Sequence, residues 1–152
     1  MGQKVLVSVF ILLGWLSLAH GQSRKMQWVD SVFNRLGEEE KIGQMFMVTV
    51  PSHASPDAIR KIENEIKTHE IGGVIFQQET PFHQASATNR MQGISKIPLF
   101  VGQDAEWGLG QMIDSTISFP RSLVLGAIKN DSMIYRMGKE TARQMKMVGL
   151  NL

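Results

Sequence analysis

Short apolar runs alternate with helical segments that carry their own start signals. This alternation limits the fold more than any other feature of the chain. Residues 46–50 are a compact apolar run closed by Pro51 and read as a first strand. Ser55, Pro56 and Asp57 then supply a helix start: a hydroxyl that caps free amides, a ring already at helical φ, and an acid where the helix dipole favours it. Ile59, Ile62 and Ile66 line one side of that helix, with Asp57/Lys61 and Glu63/Lys67 four apart on the wet side. Gly72 and Gly73 read as its termination, and residues 74–76 as a second strand. Thr80 and Pro81 repeat the cap-and-proline device and open a helix to about Ser95. A third strand follows at residues 99–101. Upstream, residues 22–27 read as a polar leader, Trp28, Val29, Val32, Phe33 and Leu36 share a helical face, and residues 38–44 restart a helix.

Residues 104–120, rich in Gly, Asp, Ser and Thr, form a loop of a length usually kept for function. Asn130 caps a last helix with Met133, Ile134, Met137, Thr141, Met145 and Val148 inward, and Gly149 is placed to end it. Residues 150–152 read as the opening of a fourth strand. Helix and strand in this order imply an α/β fold with parallel strands and crossover helices. Three strands and a stub would leave long unpaired edges. The expected architecture is therefore the N-terminal part of a (β/α)8 TIM barrel, truncated before the fourth strand is complete, since such a barrel takes about 250 residues.

Two segments divide the chain by chemistry. Lys4, an apolar stretch over residues 5–18, and small residues at 19 and 21 read as a cleavable secretory signal peptide over residues 1–21. The apolar stretch is shorter than the roughly 20 residues of a membrane span, so no membrane anchor is expected. Residues 22–152 are then the part of the chain expected to fold as a partial domain. The chain has no cysteine, which excludes disulfides, thiolate nucleophiles and a cysteine-linked lipid anchor. The expected location is periplasmic or extracellular. A net charge of +2 without a basic block gives nucleic-acid binding little support.

The chemistry concentrates at residues 97–110, IPLFVGQDAEWGLG. A buried strand that delivers Asp104, Glu106, Trp107 and two glycines builds a polar pocket of the kind found at the carboxyl ends of parallel strands. Carboxylates accept hydrogen bonds that sugar hydroxyls donate, and an indole can stack on a sugar ring. Asp104 is the strongest candidate for substrate binding, followed by Glu106 and Trp107. Acids two residues apart cannot easily flank a glycosidic bond from opposite sides, so the pair is not assigned as acid and nucleophile. The glycine pattern lacks the nucleotide-binding spacing. His53, His69 and His83 lack metal-ligand spacing. His53 follows the first strand and reads as a solvated loop histidine, with a role on the active face as the alternative. No cofactor and no metal are expected.

These residues resemble a known family. Residues 39–45, EEKIGQM, are similar to the segment that opens the catalytic domain of glycoside hydrolase family 3. Residues 72–76, GGVIF, resemble its second strand, and residues 89–92, NRMQ, the "N-x-L-Q" of the next helix. Residues 97–108 resemble its "IPLL-[VI]-x-x-D-x-E-x-G" strand and loop, and Phe119-Pro120 with Leu125-Gly126-Ala127 its "FP…LGA". Residues 140–149 match the helix before its fourth strand. The nearest look is to the β-N-acetylhexosaminidase branch. The resemblance implies a retaining glycosidase on a (β/α)8 barrel, with Asp104 matching the family's substrate-binding aspartate. It also implies that the nucleophile and the histidine acid/base lie beyond residue 152, leaving no catalytic group in this chain and no turnover by it alone. Trp107 stands where the family has glycine. The expected function of the full-length parent is release of terminal β-linked N-acetylhexosamine. Alternatives are a β-glucosidase or other family 3 exo-glycosidase, and a non-catalytic carbohydrate-binding module.

Overall fold

A computed structural model describes residues 23–152. The expected signal peptide lies outside the described residues. The described residues divide into two units, residues 23–36 and residues 37–152. In the first, helix α1 spans Arg24–Phe33. It starts earlier than the sequence reading placed it, because the Ser23 hydroxyl accepts from the Met26 amide at 3.3 Å and caps what was read as a polar leader.

The second unit runs α2 (Glu38–Gly43), β1 (Met47–Val50), α3 (Pro56–His69), β2 (Gly73–Phe76), α4 (Pro81–Ile94) and β3 (Phe100–Gln103). A 3-10 turn (Leu109–Gln111) and two more helices, α5 (Ser122–Leu125) and α6 (Asp131–Met147), follow. The three strands form one parallel sheet in the order β1-β2-β3, with Val48 opposite Val74 and Val74 opposite Val101. Both crossover helices start as the sequence dictates. Ser55 Oγ accepts from the Ala58 amide at 3.2 Å and Thr80 Oγ1 from the His83 amide at 3.4 Å, each with proline next in line. Val50, Val74, Phe76 and Val101 on the strands, Ile62 and Ile66 on α3 and Met91 on α4 form the centre of the core. Burying a side chain of this size stabilises the fold by roughly 1.5–3 kcal/mol.

Four expectations change. Gly72 and Gly73 do not end α3; Glu70 does, with a left-handed φ of 50°. The glycines are there for space, because a Cβ on Gly72 would run into the Gln44 carbonyl and one on Gly73 into the Phe100 carbonyl. Asp57 pairs with Arg60 one turn along, and Glu63 with Arg90 of α4 at 2.8 Å, in place of the lysines four residues on. Residues 104–120 are not wholly irregular: they hold the 3-10 turn and a parallel bridge from Ile113 to Glu79. Helix α5 was not expected.

Residues 150–152 form no strand, yet they lie along β3. The Asn151 and Leu152 amides donate to the Val101 carbonyl at 3.0 and 3.2 Å. The Asn151 side chain completes the contact, with Oδ1 accepting from the Val101 amide at 2.8 Å and Nδ2 donating to the Leu99 carbonyl at 3.0 Å. Gln92 does the same from α4, accepting from the Leu99 amide and donating to its carbonyl at 3.0 and 2.9 Å. Among the described residues no helix is long and apolar enough to cross a membrane.

Candidate functional site

The carboxyl ends of the three strands lead into segments that carry several acidic and histidine side chains. β3 ends at Gln103, and Asp104 is the next residue. Its side chain is exposed and makes no hydrogen bond or ion pair among the described residues. Two glutamines hold the strand end behind it. Gln103 Nε2 donates to the Gln77 carbonyl beyond β2 at 2.9 Å, and the fully buried Gln84 of α4 reaches Gln103 Oε1 at 3.3 Å. An aspartate on a braced strand end keeps its oxygens free for a ligand.

The segment after Asp104 folds back on itself. The Gly108 amide donates to the Ala105 carbonyl at 3.0 Å, and Gly108 sits at φ 90°, where a Cβ would also strike the Phe119 ring. Only glycine meets both demands. The Phe119 amide then donates to the Trp107 carbonyl at 2.7 Å, and the Gly110 amide to the Ile117 carbonyl at 3.2 Å. Glu106 is exposed, and its amide is held by Gln111 Oε1 at 2.8 Å. Trp107 is half-buried, with the Arg121 guanidinium 4.8 Å from the centre of its ring. One face of the indole is therefore already occupied by a cation, which narrows any stacking role to the other face.

A second group of side chains stands one and two strands away. Glu79 follows β2 and is almost fully buried, yet Oε1 accepts one hydrogen bond, from the Thr80 amide at 2.8 Å. His53 follows β1, with Nδ1 3.7 Å from Glu79 Oε1 and Nε2 4.0 Å from Asp114 Oδ2. His83, on the first turn of α4, places Nδ1 3.5 Å from the same Glu79 oxygen. Asp114 is held by Gln78 Nε2 at 3.0 Å. Backbone bonds knit these residues together. The His53 amide donates to the Gln78 carbonyl at 2.9 Å, the Glu79 amide to the Met112 carbonyl at 2.9 Å, and the Asp114 amide to the Glu79 carbonyl at 3.0 Å. Glu79 and His83 also line a cleft of about 220 Å3 between α3 and α4, with Ile59, Ala87 and Arg90 on its walls. Asp104 stands outside that cleft.

The structure therefore brings Asp104, Glu106 and Trp107 onto one folded segment, as their sequence proximity requires, and adds Glu79, His53 and Asp114 from three separate positions. Sequence reasoning passed over Glu79. The available signal was its place: it follows β2 as Asp104 follows β3. Among the described residues no three His, Asp or Glu side chains are grouped to hold a metal ion.

Comparison with known proteins bears on this geometry. A Cellulomonas fimi protein described as a beta-N-acetylglucosaminidase/beta-glucosidase is 23% identical over 125 residues. The match covers 82% of this chain and 21% of that protein, so the chain spans about a fifth of its relative's length. Among solved structures, a beta-glucoside phosphorylase, BglX, bound to 2FGlc is similar with a TM-score of 0.75 and 22% identity, over 88% of this chain and 24% of that one. Another structure of a beta-glucoside phosphorylase BglX gives 0.71 and 21%, over 88% and 23%. Those likenesses concern the fold. Residues 38–152, the whole second unit but for its first residue, match the family described as Glycosyl hydrolase family 3 N terminal domain, and the chain belongs to that family.

Proposed function

We propose that this chain is the sugar-holding front part of a retaining exo-glycosidase that removes terminal β-linked N-acetylhexosamine, with Asp104 binding the hydroxyls of that sugar. The observation that carries the reading is an exposed carboxylate, without a protein partner among the described residues, on a braced strand end. Glu106 and the open face of Trp107 are proposed to extend the contact. In this reading β1, β2 and β3 are the first strands of a (β/α)8 barrel, and the nucleophile and acid/base come from later strands. The mechanism is double displacement through a glycosyl-enzyme intermediate. Secretion into the periplasm or medium, through the N-terminal segment, belongs to the same proposal.

The name of the Cellulomonas fimi relative couples two substrates, N-acetylglucosaminide and glucoside. This keeps β-glucosidase as a second reading, and the phosphorylase among the fold relatives adds phosphate as an alternative acceptor to water. Chromogenic N-acetyl-β-glucosaminide and β-glucoside, each assayed with and without phosphate, separate the three for the full-length gene product. The expected result is faster turnover of the N-acetyl substrate without dependence on phosphate. Substituting Asp104→Asn should remove hydrogen bonds to a charged acceptor and cut kcat/KM about 10- to 100-fold. An unchanged kcat/KM would remove Asp104 from the site.

A further inference from the structure

We propose that His53 is a further substrate-contacting residue and that the buried carboxylate of Glu79 is the group that positions it. The inference rests on the saccharide reading of the Asp104 end of the sheet, and adds to that end a residue from another strand.

Four observations support it. First, His53 leaves β1 at the carboxyl end of the sheet, the end where parallel α/β folds place their ligands. β2 alone separates β1 from β3, so the strand ends that deliver His53 and Asp104 stand roughly 10 Å apart. A saccharide can bridge that span. Second, His53 holds a left-handed backbone, φ 46°, which sets the direction in which its side chain leaves the chain after β1. The surroundings impose it: the His53 amide is tied to the Gln78 carbonyl at 2.9 Å.

Third, two carboxylates face the ring without hydrogen-bonding it. Nδ1 lies 3.7 Å from Glu79 Oε1 and Nε2 4.0 Å from Asp114 Oδ2, both beyond hydrogen-bond length. The two carboxylates flank the ring and leave its hydrogen-bonding capacity for a third party. Its side chain is 54% exposed, so a ligand can reach it. Fourth, Glu79 is an unusual residue to bury: its side chain is 6% exposed, with the Thr80 amide as its hydrogen-bond donor. A buried carboxylate costs stability unless something answers its charge. No lysine or arginine pairs with it among the described residues, and the groups that face it are the imidazoles of His53 and His83. Arg90, on the wall of the adjoining cleft, is paired with Glu63 instead. Glu79 also joins the segment that carries Asp104, through its amide to Met112 and its carbonyl to the Asp114 amide. One residue thus faces the imidazole with its side chain and ties the Asp104 segment by its backbone.

The experiment is a mutant cycle in the full-length gene product, with KM and kcat measured on 4-nitrophenyl N-acetyl-β-glucosaminide. His53→Asn removes the ring, and asparagine tolerates the left-handed backbone better than most residues. Its expected effect is a rise in KM of about fivefold with kcat changed less than twofold, the loss of one hydrogen bond to a neutral group. Glu79→Gln keeps an oxygen for the Thr80 amide and removes the charge. It should raise KM about threefold alone and have no further effect in the His53→Asn background. A merely structural Glu79 would give additive losses, and additivity overturns the positioning role. An unchanged KM in His53→Asn overturns the contact itself. If circular dichroism shows that Glu79→Gln does not fold, Glu79→Asp, which draws the charge back by one carbon, must show the same coupling, and additivity there overturns the role equally. Asp104→Asn, run alongside, separates the two readings: if it is silent while His53→Asn is not, the Asp104 reading falls and the His53 contact stands.

Discussion

The two ends of the sheet treat their carboxylates in opposite ways. At the amino end, Glu70 is 6% exposed and Lys96 answers it directly, bonding Glu70 and, at 3.2 Å, Glu40. Gln44 donates to the Glu70 carbonyl, and Gly43 and Gly72 let backbones meet with no room for a side chain. At the carboxyl end, Glu79 faces two histidines beyond hydrogen-bond length, Asp114 faces one of them, and Asp104 faces nothing among the described residues. One end is matched and closed, while the other holds charges in reserve. The contrast separates a packed, ion-paired end from an open one, and the open end is where parallel α/β folds place their ligands.

The largest expected effect tests the closed end. Gly72→Ala drives a methyl into the Gln44 backbone, which has no flexible tip to yield. The expected loss is about 3 kcal/mol, read as a thermal midpoint lower by roughly 10 °C. A midpoint within a degree or two of the parent would show that the closed end is looser than its packing implies. Asp104→Asn should leave that midpoint unchanged while weakening saccharide binding about 10- to 100-fold by calorimetry. A variant that lost both stability and binding would erase the contrast between the ends.

A smaller effect concerns charge at the closed end. Hydrogen bonds from Lys96 to Glu70 and then Glu40 raise the lysine above its usual range. A raised basic group stabilises the folded state below its ordinary value of 10.5, and that support is lost as pH climbs through the folded value. Lys96→Met should therefore melt below the parent at pH 7, with the gap narrowing as pH rises beyond 10.5. On α6 the sign is reversed. Hydrogen bonds from Arg143 and then Gln144 hold Glu140 down at about 2. That support is full above the ordinary carboxylate range and fades as pH falls toward about 2, so Glu140→Gln and parent should converge in acid melts. The smallest effect is Arg121→Ala. Loss of the contact over Trp107 should cost about 0.5–1 kcal/mol, with a shift in indole fluorescence as the second readout.

Local chemistry was legible in the sequence. Ser55-Pro56 and Thr80-Pro81 announce α3 and α4 because a cap and a ring act within one turn. Asp104 was legible because an apolar run ended in it. The convergent features were not. Gly72 looks like a helix stop until the chain beside it, at Gln44, is known. Glu63 has a lysine four residues on, yet Arg90 of the next helix reaches it with a geometry no single-helix rule contains. His53, Glu79 and Asp114 are separated by 26 and 35 positions and meet because three strand ends lie side by side. Caps are properties of neighbours in the chain; clusters of this kind are properties of topology.

Asn151 carries a last consequence. Its amide engages both the donor of Val101 and the acceptor of Leu99, in the manner of an adjoining strand. The side chain thereby gives Val101 and Leu99 the partners that a neighbouring strand's backbone would supply, so two buried backbone groups stay satisfied where the chain runs beside β3. Asn151→Ala removes the acceptor of the Val101 amide and should lower the thermal midpoint by roughly 4 °C.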